Sequence, residues 1–257
     1  MRDSVTTFYD NLADAYRYIF ADWHVSVRRQ GKNINRILKA RGFLPDNHTL
    51  YDCTCGIGTQ VFGLAEQGWT IHGTDISSQA IAKAEEYRPE FDMMVTPTFA
   101  VADLLKSPDH PTQYDVVVSF DNAIPHFMTD TDLLTALRTM TTHLKDKGLL
   151  MISIRDYDAL IKNPPKSTPP NVNDTNDGRR IIFQTWDWAG DLSSYRLNMY
   201  ITHHVGESIT TQCFPSEYRA LRRDQLSDAL VQVGLGEIQW LMPDESGYYQ
   251  PIVIAGK

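Results

Sequence analysis

The sequence has no long apolar run, few cysteines and no excess of positive charge. Its longest apolar stretch, "GLLMISI", has the length of a strand and falls well below the roughly 18 residues that a membrane span needs. The opening residues, "MRDSVTTFYDN", contain acids and no apolar signal segment. These absences argue against membrane insertion, secretion and organelle import, and they predict a cytoplasmic protein.

Charge and cysteine content narrow the range of partners. The 257 residues carry a formal net charge of −8, whereas a protein that mainly binds nucleic acid needs a basic surface. Cys53 and Cys55 form a single C-x-C pair, with no second pair and no histidine cluster nearby, so no zinc site is predicted. A small molecule is therefore the expected partner, rather than nucleic acid or a membrane.

What the sequence does contain is a regular alternation of strand-like and helix-like segments. The strand-like segments are "TLYDC", "TIHGTD", "TFAVAD", "YDVVVSFD" and "GLLMISIRD". The helical patterns between them are "QVFGLAEQG", "SQAIAKAEEYR" and "TDLLTALRTMTTHLKDKG". This alternation predicts βαβ units, which give a parallel sheet with right-handed crossovers.

The pattern differs on either side of this region. Helical spacing over Phe8–Phe20 and Trp23–Ala40 predicts two N-terminal helices. A segment rich in Pro, Asn and Asp follows Lys162 and predicts an irregular loop, after which three strand-like stretches predict an antiparallel meander. A last helix and two strands then rejoin the main sheet. The predicted fold class is α/β, with a doubly wound, mostly parallel sheet, an inserted antiparallel β cap and N-terminal helices.

A glycine turn stands where the first strand of the alternating region passes into a helix. Gly56 and Gly58 would let a ligand lie against backbone N–H groups at the helix N-terminus. Asp75 ends the next strand, where a carboxylate can accept both ribose hydroxyls of a nucleoside. Asp103 ends the third strand, in position to meet an adenine amino group. All four positions fall at the carboxyl ends of parallel strands, where open α/β sheets bind ligands.

Two nucleotide-bearing cofactors could use this turn. A dinucleotide fold expects G-x-G-x-x-G, but Val61 stands where the third glycine belongs. Asp52, just before the turn, would lie unfavourably near a pyrophosphate and suits the cationic ammonium and sulfonium of S-adenosylmethionine. The pattern favours the methyl donor. A nicotinamide-dependent oxidoreductase and a non-catalytic cofactor-binding protein stay open as alternatives.

The segment "LYDCTCGIGT", followed by Asp75 and Asp103, resembles the binding signature of class I S-adenosylmethionine-dependent methyltransferases. Further segments extend the resemblance to the glycine/sarcosine N-methyltransferases over nearly the full length: "FADWHVSVRRQGKNINRILKARG", "DNAIPHF", "ISIRDYD" and "YRLNMYIT". The resemblance implies a seven-stranded methyltransferase sheet and methyl transfer to a small acceptor, such as the nitrogen of glycine or sarcosine. Ile154 departs from that group, which more often has a polar residue there, so other N- or O-acceptors stay open.

The resemblance also implies a division of the chain into three parts. Residues 1–45 would form an N-terminal helical lid. Residues 46–160 and 221–257 would form the α/β domain that binds S-adenosylmethionine, and residues 161–220 would form the antiparallel insertion on the acceptor side.

Three residues are predicted to be catalytic. Arg155 follows an apolar strand, where its guanidinium could clamp a carboxylate with two hydrogen bonds; an ion pair with Asp156 or Asp158 is the alternative. By resemblance, Asn122 would contact the acceptor and His126 the cofactor. The alternative for both is a capped turn with a half-buried histidine.

On the cofactor side, aromatic residues of the N-terminal helices are expected to close over the site. Tyr9, Tyr16 and Trp23 would present π faces to the sulfonium, although aromatics at helical spacing also pack as ordinary core. Arg29 would meet the methionine carboxylate, with Arg28 as the competing choice. The full set of predicted cofactor contacts is Asp52, Cys55, Gly56, Gly58, Asp75, Asp103, Leu104, Arg29, Tyr16 and Trp23.

Overall fold

A computed structural model describes residues 2–108, 110–175 and 177–257. The strands are β1 Thr49–Asp52, β2 Thr70–Asp75, β3 Thr98–Val101, β4 Tyr114–Ser119, β5 Leu144–Ser153, β6 Asn171–Thr175, β7 Gly178–Trp188, β8 Ser194–Val205, β9 Ser208–Arg219, β10 Gly236–Leu241 and β11 Ile252–Gly256. The α-helices are α1 Arg2–Leu12, α2 Trp23–Lys39, α3 Thr59–Ala65, α4 Ser78–Tyr87, α5 Asp130–Thr142, α6 Tyr157–Leu160, α7 Arg223–Gln232 and α8 Pro243–Ser246. Short 3₁₀ turns cover Tyr16–Ile19, Arg88–Glu90 and Ile124–His126.

The main sheet has seven strands in the order β10-β11-β5-β4-β1-β2-β3. Strands β1 to β5 pair in parallel, while β11 runs antiparallel to β5 and β10 antiparallel to β11. The chain order reverses between β1 and β4, and such a point opens a crevice at the carboxyl ends of the strands. The predicted doubly wound, mostly parallel fold is confirmed, and the crevice fixes where a ligand site should lie.

The centre of this sheet is apolar on both faces. Val116, Val117 and Val118 of β4 are fully buried, and successive side chains point to opposite faces. Val117 belongs to the core cluster beneath α5 and the antiparallel sheet, whereas its two neighbours belong to the cluster beneath α2 and α3. A strand covered on both faces needs this continuous apolar run, which explains why "DVVVSF" lacks alternation.

Helix α2 packs directly on α3, the helix that follows the glycine turn. Gly31 and Gly63 meet at this contact, and a β-carbon added to Gly31 would lie 2.2 Å from the Gly63 carbonyl oxygen. Since a helix backbone can approach another this closely only where both residues lack side chains, these glycines set the position of α2 over the turn. Within the described residues, none of the helices combines the length and apolarity of a membrane span.

The second sheet is antiparallel, in the order β6-β7-β8-β9. Its buried face carries Trp186, Tyr195 and Leu197, which join the same core cluster as Leu150 and Ile152 of β5. The insertion is therefore packed against the α/β sheet.

Helix α1 bridges the two sheets. It packs against β9, and Asp10 accepts hydrogen bonds from Ser77 Oγ at 2.6 Å and from the backbone N–H of Gln79 at 3.3 Å. These last two groups lie at the start of α4. One short helix thus contacts both the α/β domain, at the start of α4, and the antiparallel sheet, at β9.

Three predicted element boundaries were wrong. The segment expected to be an irregular loop contains β6, an exposed edge strand that pairs with β7. Its residues are polar, so the sequence shows no strand pattern; backbone pairing with β7, not burial of apolar side chains, holds the strand in place. The helix predicted to reach Gly148 ends at Thr142, and β5 begins at Leu144. The first helix ends at Leu12, and Tyr16–Ile19 forms a separate 3₁₀ turn.

Candidate active site

Two cavities lie side by side at the carboxyl ends of the parallel strands. The turn cavity, about 130 Å³, lies over the glycine turn and the ends of β2 and β3. The cap cavity, about 760 Å³, lies between the N-terminal helices, the end of β5 and the antiparallel sheet. Tyr9, Tyr16 and Asp121 line both. The crevice predicted from the strand order is therefore divided into two spaces that share a wall.

The turn cavity gathers most of the predicted cofactor residues. Those on its wall are Cys55, Gly56, Asp75, Asp103, Leu104 and Tyr16. The Asp75 carboxylate accepts hydrogen bonds from the backbone N–H groups of Gly56 and Ser77, both at 2.9 Å. Burial raises the pKa of Asp75 while these hydrogen bonds act to lower it. Asp103 lies across the cavity, with its Oδ1 accepting from the Leu105 N–H at 2.9 Å.

The glycines of the turn have separate tasks. Gly56 has a φ of 53°, and a β-carbon there would meet nothing within 4 Å; the backbone adopts the left-handed region and its open side faces space where a ligand can approach. Gly58, with a φ of 91°, is the N-cap of α3, and a β-carbon there would collide with the ring of Phe62. Gly58 is not on the cavity wall, so its task is to pack the turn.

Asp52 lies beneath the turn, is completely buried and, like Gly58, is not itself on the wall of either cavity. Its Oδ1 accepts a hydrogen bond from the Thr54 N–H at 3.2 Å, and its Oδ2 has no hydrogen-bond partner among the described residues. Burial raises the pKa of Asp52 to about 8. A buried carboxylate oxygen without a partner is costly, and the cationic ammonium of a methionine tail would satisfy it. These residues fit S-adenosylmethionine.

His126 is held as a neutral ring on the wall of the turn cavity. Its Nδ1 lies 3.2 Å from the Glu217 carbonyl oxygen, which can only accept, so Nδ1 carries the hydrogen. Nε2 therefore accepts from the Tyr9 hydroxyl at 3.0 Å. Burial lowers the pKa of His126 to about 3. His126 thus fixes Tyr9, and with it α1, at the boundary between the two cavities.

Asn122 is placed differently from its prediction. Its side chain is 2% exposed and lines neither cavity. Its Oδ1 accepts from the Arg155 N–H at 2.9 Å and from the Tyr157 hydroxyl at 3.0 Å. With a φ of 67°, the left-handed backbone turns this side chain inward. The Oδ1 of Asn122 therefore positions Arg155, whereas its Nδ2 has no hydrogen-bond partner among the described residues, and its contact with an acceptor stays a prediction.

Arg155 lies on the wall of the cap cavity. It donates hydrogen bonds to the Tyr195 hydroxyl at 2.6 Å and to Gln184 Oε1 at 3.3 Å, and its guanidinium lies 4.7 Å from the centre of the Trp186 ring. It makes no ion pair within the described residues.

The alternative ion-pair partners of Arg155 are occupied elsewhere. Asp156 pairs with Arg223 at 2.6 Å, and Asp158 pairs with the same guanidinium at 3.5 Å. Arg155 is therefore a partly buried cation whose side-chain hydrogen-bond partners are neutral, which is the environment that a ligand carboxylate would complete.

The remaining predicted residues divide between the cavities and the core. Arg29 lines the cap cavity, whereas Arg28 pairs with Glu66 at 3.5 Å. Trp23 is 4% exposed, and its Nε1 donates to Thr59 Oγ1 at 3.0 Å. The structure thus brings Arg29 to the cap cavity and places Trp23 in the core, away from either wall.

Sequence reasoning missed a polar cluster around Asp121. The carboxylate accepts hydrogen bonds from Gln60 Nε2 at 2.8 Å and from the hydroxyls of Tyr248 and Tyr249. Both tyrosines precede β11, while Gln60 lies on α3, so contiguous sequence gave no sign of this meeting. The one available signal was the acid itself, which comes just after the buried strand β4, much as Asp75 stands at the end of β2.

Comparisons with known proteins agree with this geometry. Residues 50–148 match a family described as a methyltransferase domain. A glycine/sarcosine N-methyltransferase of Parasynechococcus marenigrum is 26% identical over 141 residues, which cover 55% of this chain and 48% of that protein. One from Aphanothece halophytica is 24% identical over 214 residues, covering 74% of this chain and 76% of that protein.

Solved structures show the same fold. An S-adenosylmethionine-dependent methyltransferase from Clostridium acetobutylicum superposes with a TM-score of 0.73, at 16% identity, over 96% of this chain and 97% of that one. Residues 50–148 therefore form a methyltransferase domain, and the whole chain resembles class I S-adenosylmethionine-dependent methyltransferases in sequence and in fold. Within that class it resembles the glycine/sarcosine N-methyltransferases, although the first relative is matched over only about half its length. S-adenosylmethionine, not a dinucleotide, is the cofactor of this class.

Proposed function

We propose that the protein transfers a methyl group from S-adenosylmethionine to the nitrogen of a small acceptor that carries a carboxylate, such as glycine or sarcosine. The observation that carries this proposal is the Arg155 guanidinium, which faces the cap cavity without a carboxylate partner among the described residues. When bound, the cofactor supplies a methyl group whose bond to sulfur breaks, leaving its electron pair on sulfur, as the acceptor nitrogen bonds to carbon.

The chain's own residues contribute mainly orientation. Arg155 would hold the acceptor carboxylate, and Asn122, Tyr157 and Tyr195 would fix Arg155 through their hydrogen bonds. On the cofactor side, Asp75 would bind the ribose hydroxyls, and Asp52 would meet the ammonium. Holding two reactants in line at about 3–3.5 Å can supply roughly 7–11 kcal/mol of the barrier, so no metal is needed for this displacement.

The size of the cap cavity favours a second candidate. About 760 Å³ falls in the range of roughly 300–1,000 Å³ that holds drug-sized ligands, far more than glycine fills. Its wall includes the apolar residues Phe8, Phe20, Ile182, Phe183 and Trp186. An amino acid or amine with a large apolar body would use this surface.

The deciding experiment is release of S-adenosylhomocysteine with a graded acceptor panel. Glycine, sarcosine and dimethylglycine test the small amino acids, phenylalanine tests the larger body, methylamine lacks the carboxylate, and glycolate and phenol lack the amine. We expect acceptors with both groups to exceed methylamine and glycolate by at least about tenfold in kcat/KM. Equal rates with methylamine would contradict the carboxylate clamp, and NADH binding would revive the oxidoreductase alternative.

A further inference from the structure

Asp121 has chemistry that the proposed function leaves unused. It is the one acid among the three residues that line both cavities, beside Tyr9 and Tyr16. Its backbone follows β4 with a φ of 58°, and its N–H donates to Ser153 Oγ at 2.8 Å. The acid is therefore fixed where an acceptor in one cavity would reach a cofactor in the other.

The carboxylate of Asp121 is held by donors from separate elements. Gln60 donates from α3, and Tyr248 and Tyr249 donate from the segment before β11. Gln60 is held in turn, because its Nε2 also donates to Gln30 Oε1 of α2 at 2.8 Å. Side chains locked in this way form the kind of preorganised site that binding and catalysis require.

Four charged residues line the cap cavity: Arg29, Asp121, Arg155 and Asp156. Asp156 is paired with Arg223, so among the described residues Asp121 is the acid on this wall that is not engaged in an ion pair. The charges of Asp121 and Arg155 both act on the Tyr16 hydroxyl, which lies on the same wall. An amino acid zwitterion carries a carboxylate and an ammonium, and if Arg155 holds the carboxylate, Asp121 is the acid that the ammonium would meet.

We propose that Asp121 binds the ammonium of the acceptor at the wall that the two cavities share and accepts its proton before methyl transfer. This inference rests on the proposed function. One N–H bond of the ammonium breaks and an O–H bond forms on Asp121, which leaves a neutral amine with a lone pair. After transfer the product is again an ammonium, and Asp121 returns its proton to solvent.

The surroundings of Asp121 suit this task. Burial raises its pKa, while the hydrogen bonds of Tyr248, Tyr249 and Gln60 act to lower it. A carboxylate with a raised pKa is a stronger base than a free aspartate. The charged and titratable groups around it are Asp52 of β1, Asp75 of β2, Tyr16 of the first 3₁₀ turn, Arg155 after β5, and Tyr248 and Tyr249 before β11.

The test is Asp121→Asn, which keeps the shape and removes the base, with glycine and sarcosine as acceptors. At pH 7 we expect kcat/KM to fall by about 10²–10⁴-fold, the usual contribution of general acid–base catalysis. The kcat/KM of the wild type should not change with pH between the pKa of Asp121 and that of the acceptor amine. The kcat/KM of the variant should rise about tenfold per pH unit over that range, because the variant can use only the fraction of the amine that is already neutral in solution. Affinity for S-adenosylhomocysteine, measured by calorimetry, should change by less than about threefold.

Two further variants provide a control for the substitution and a second test of the pKa of Asp121. Asp146→Asn makes the same change at an exposed position of β5 and should behave as wild type. Tyr249→Phe keeps the acid but removes one donor, so the pKa of Asp121 rises and the acidic limb of the wild-type profile should move to higher pH.

The outcomes separate the two proposals. If wild type methylates glycine or sarcosine while Asp121→Asn keeps its rate or its pH profile, the role of Asp121 is wrong and the proposed function stands. If wild type binds S-adenosylhomocysteine but methylates neither acceptor, the proposed function fails and this inference fails with it.

Discussion

The turn cavity and the cap cavity share a wall but are assembled in different ways. The base of the first is formed by the ends of β1, β2 and β3, which follow one another within about fifty residues and hold the predicted cofactor acids Asp75 and Asp103, while α1, the segment after β4 and Glu217 of β9 complete its wall. The second gathers residues from the N-terminal helices, the segment after β5, the antiparallel sheet and the segment before β11, and it carries Arg29 and Arg155. Local motifs thus set the base of the turn cavity, whereas the cap cavity depends on residues distributed over the whole fold.

The largest expected effect tests whether the two cavities act separately. Arg155→Ala should lower kcat/KM for a carboxylate-bearing acceptor by roughly 30-fold to several thousandfold, because loss of one partner of a buried charge pair costs about 2–5 kcal/mol. The affinity for S-adenosylhomocysteine should stay within about threefold. Steady-state kinetics and calorimetry measure the two quantities. Arg28→Ala is the matched control, since Arg28 pairs with Glu66 away from both cavities.

A substitution in the turn cavity should have the opposite pattern, a loss of cofactor affinity with little effect on the acceptor. Asp75→Ala should weaken binding of S-adenosylhomocysteine by about 10- to 150-fold, because a hydrogen bond to a charged group contributes about 1.5–3 kcal/mol. The acceptor KM at saturating cofactor should change little. Asp92→Ala, at an exposed position before β3, controls for loss of charge. Unchanged cofactor affinity would show that Asp75 only braces Gly56 and Ser77.

The same contrast explains what the sequence could predict. The order of strands, the glycine turn, Asp75 and Asp103 follow from periodicity and from the rule that ligands bind at strand ends. Nothing contiguous shows that Gln60, Tyr248 and Tyr249 meet at Asp121, because those contacts span 61, 127 and 128 residues of chain. Trp23 has a spacing equally suited to a lid and to the core, and only packing against Phe62 and Phe91 decides between them.

Helix α2 offers a change that should disturb both cavities together. Gly31→Ala would place a methyl group 2.2 Å from the Gly63 carbonyl, and overpacking of this kind costs about 1–3 kcal/mol of the free energy of unfolding. Urea denaturation measures the loss. Gly190→Ala meets nothing within 4 Å and should be nearly neutral. If Gly31→Ala were equally neutral, the close contact between α2 and α3 would be wrong.

The smallest effect concerns Asp52. Its pKa of about 8 means that the free protein holds a proton there at pH 7, and pairing with the cofactor's ammonium would ionise it. Binding of S-adenosylhomocysteine should therefore release up to about one proton at pH 7, measured by calorimetry in buffers of different ionisation enthalpy. Asp52→Asn should remove that release.

Stability of the free protein gives a second measure of Asp52. Its pKa in the folded state is raised above that of an unfolded aspartate, so its contribution to stability is fully present below about pH 4 and is lost as pH rises through about 8. Asp52→Asn should make the melting temperature less dependent on pH between 6 and 9. An identical slope for wild type and variant would mean that Asp52 is already ionised in the free protein.

Helix α1 contributes to the walls of both cavities. It carries Tyr9, which lines both cavities, and it is tied to α4 through Asp10 and to His126 through the Tyr9 hydroxyl. A movement that breaks these contacts would disturb both walls at once. Under the proposed function, departure of the spent cofactor and departure of the methylated product would then depend on the same helix, and the slower of the two would set how long the protein stays occupied after each turnover.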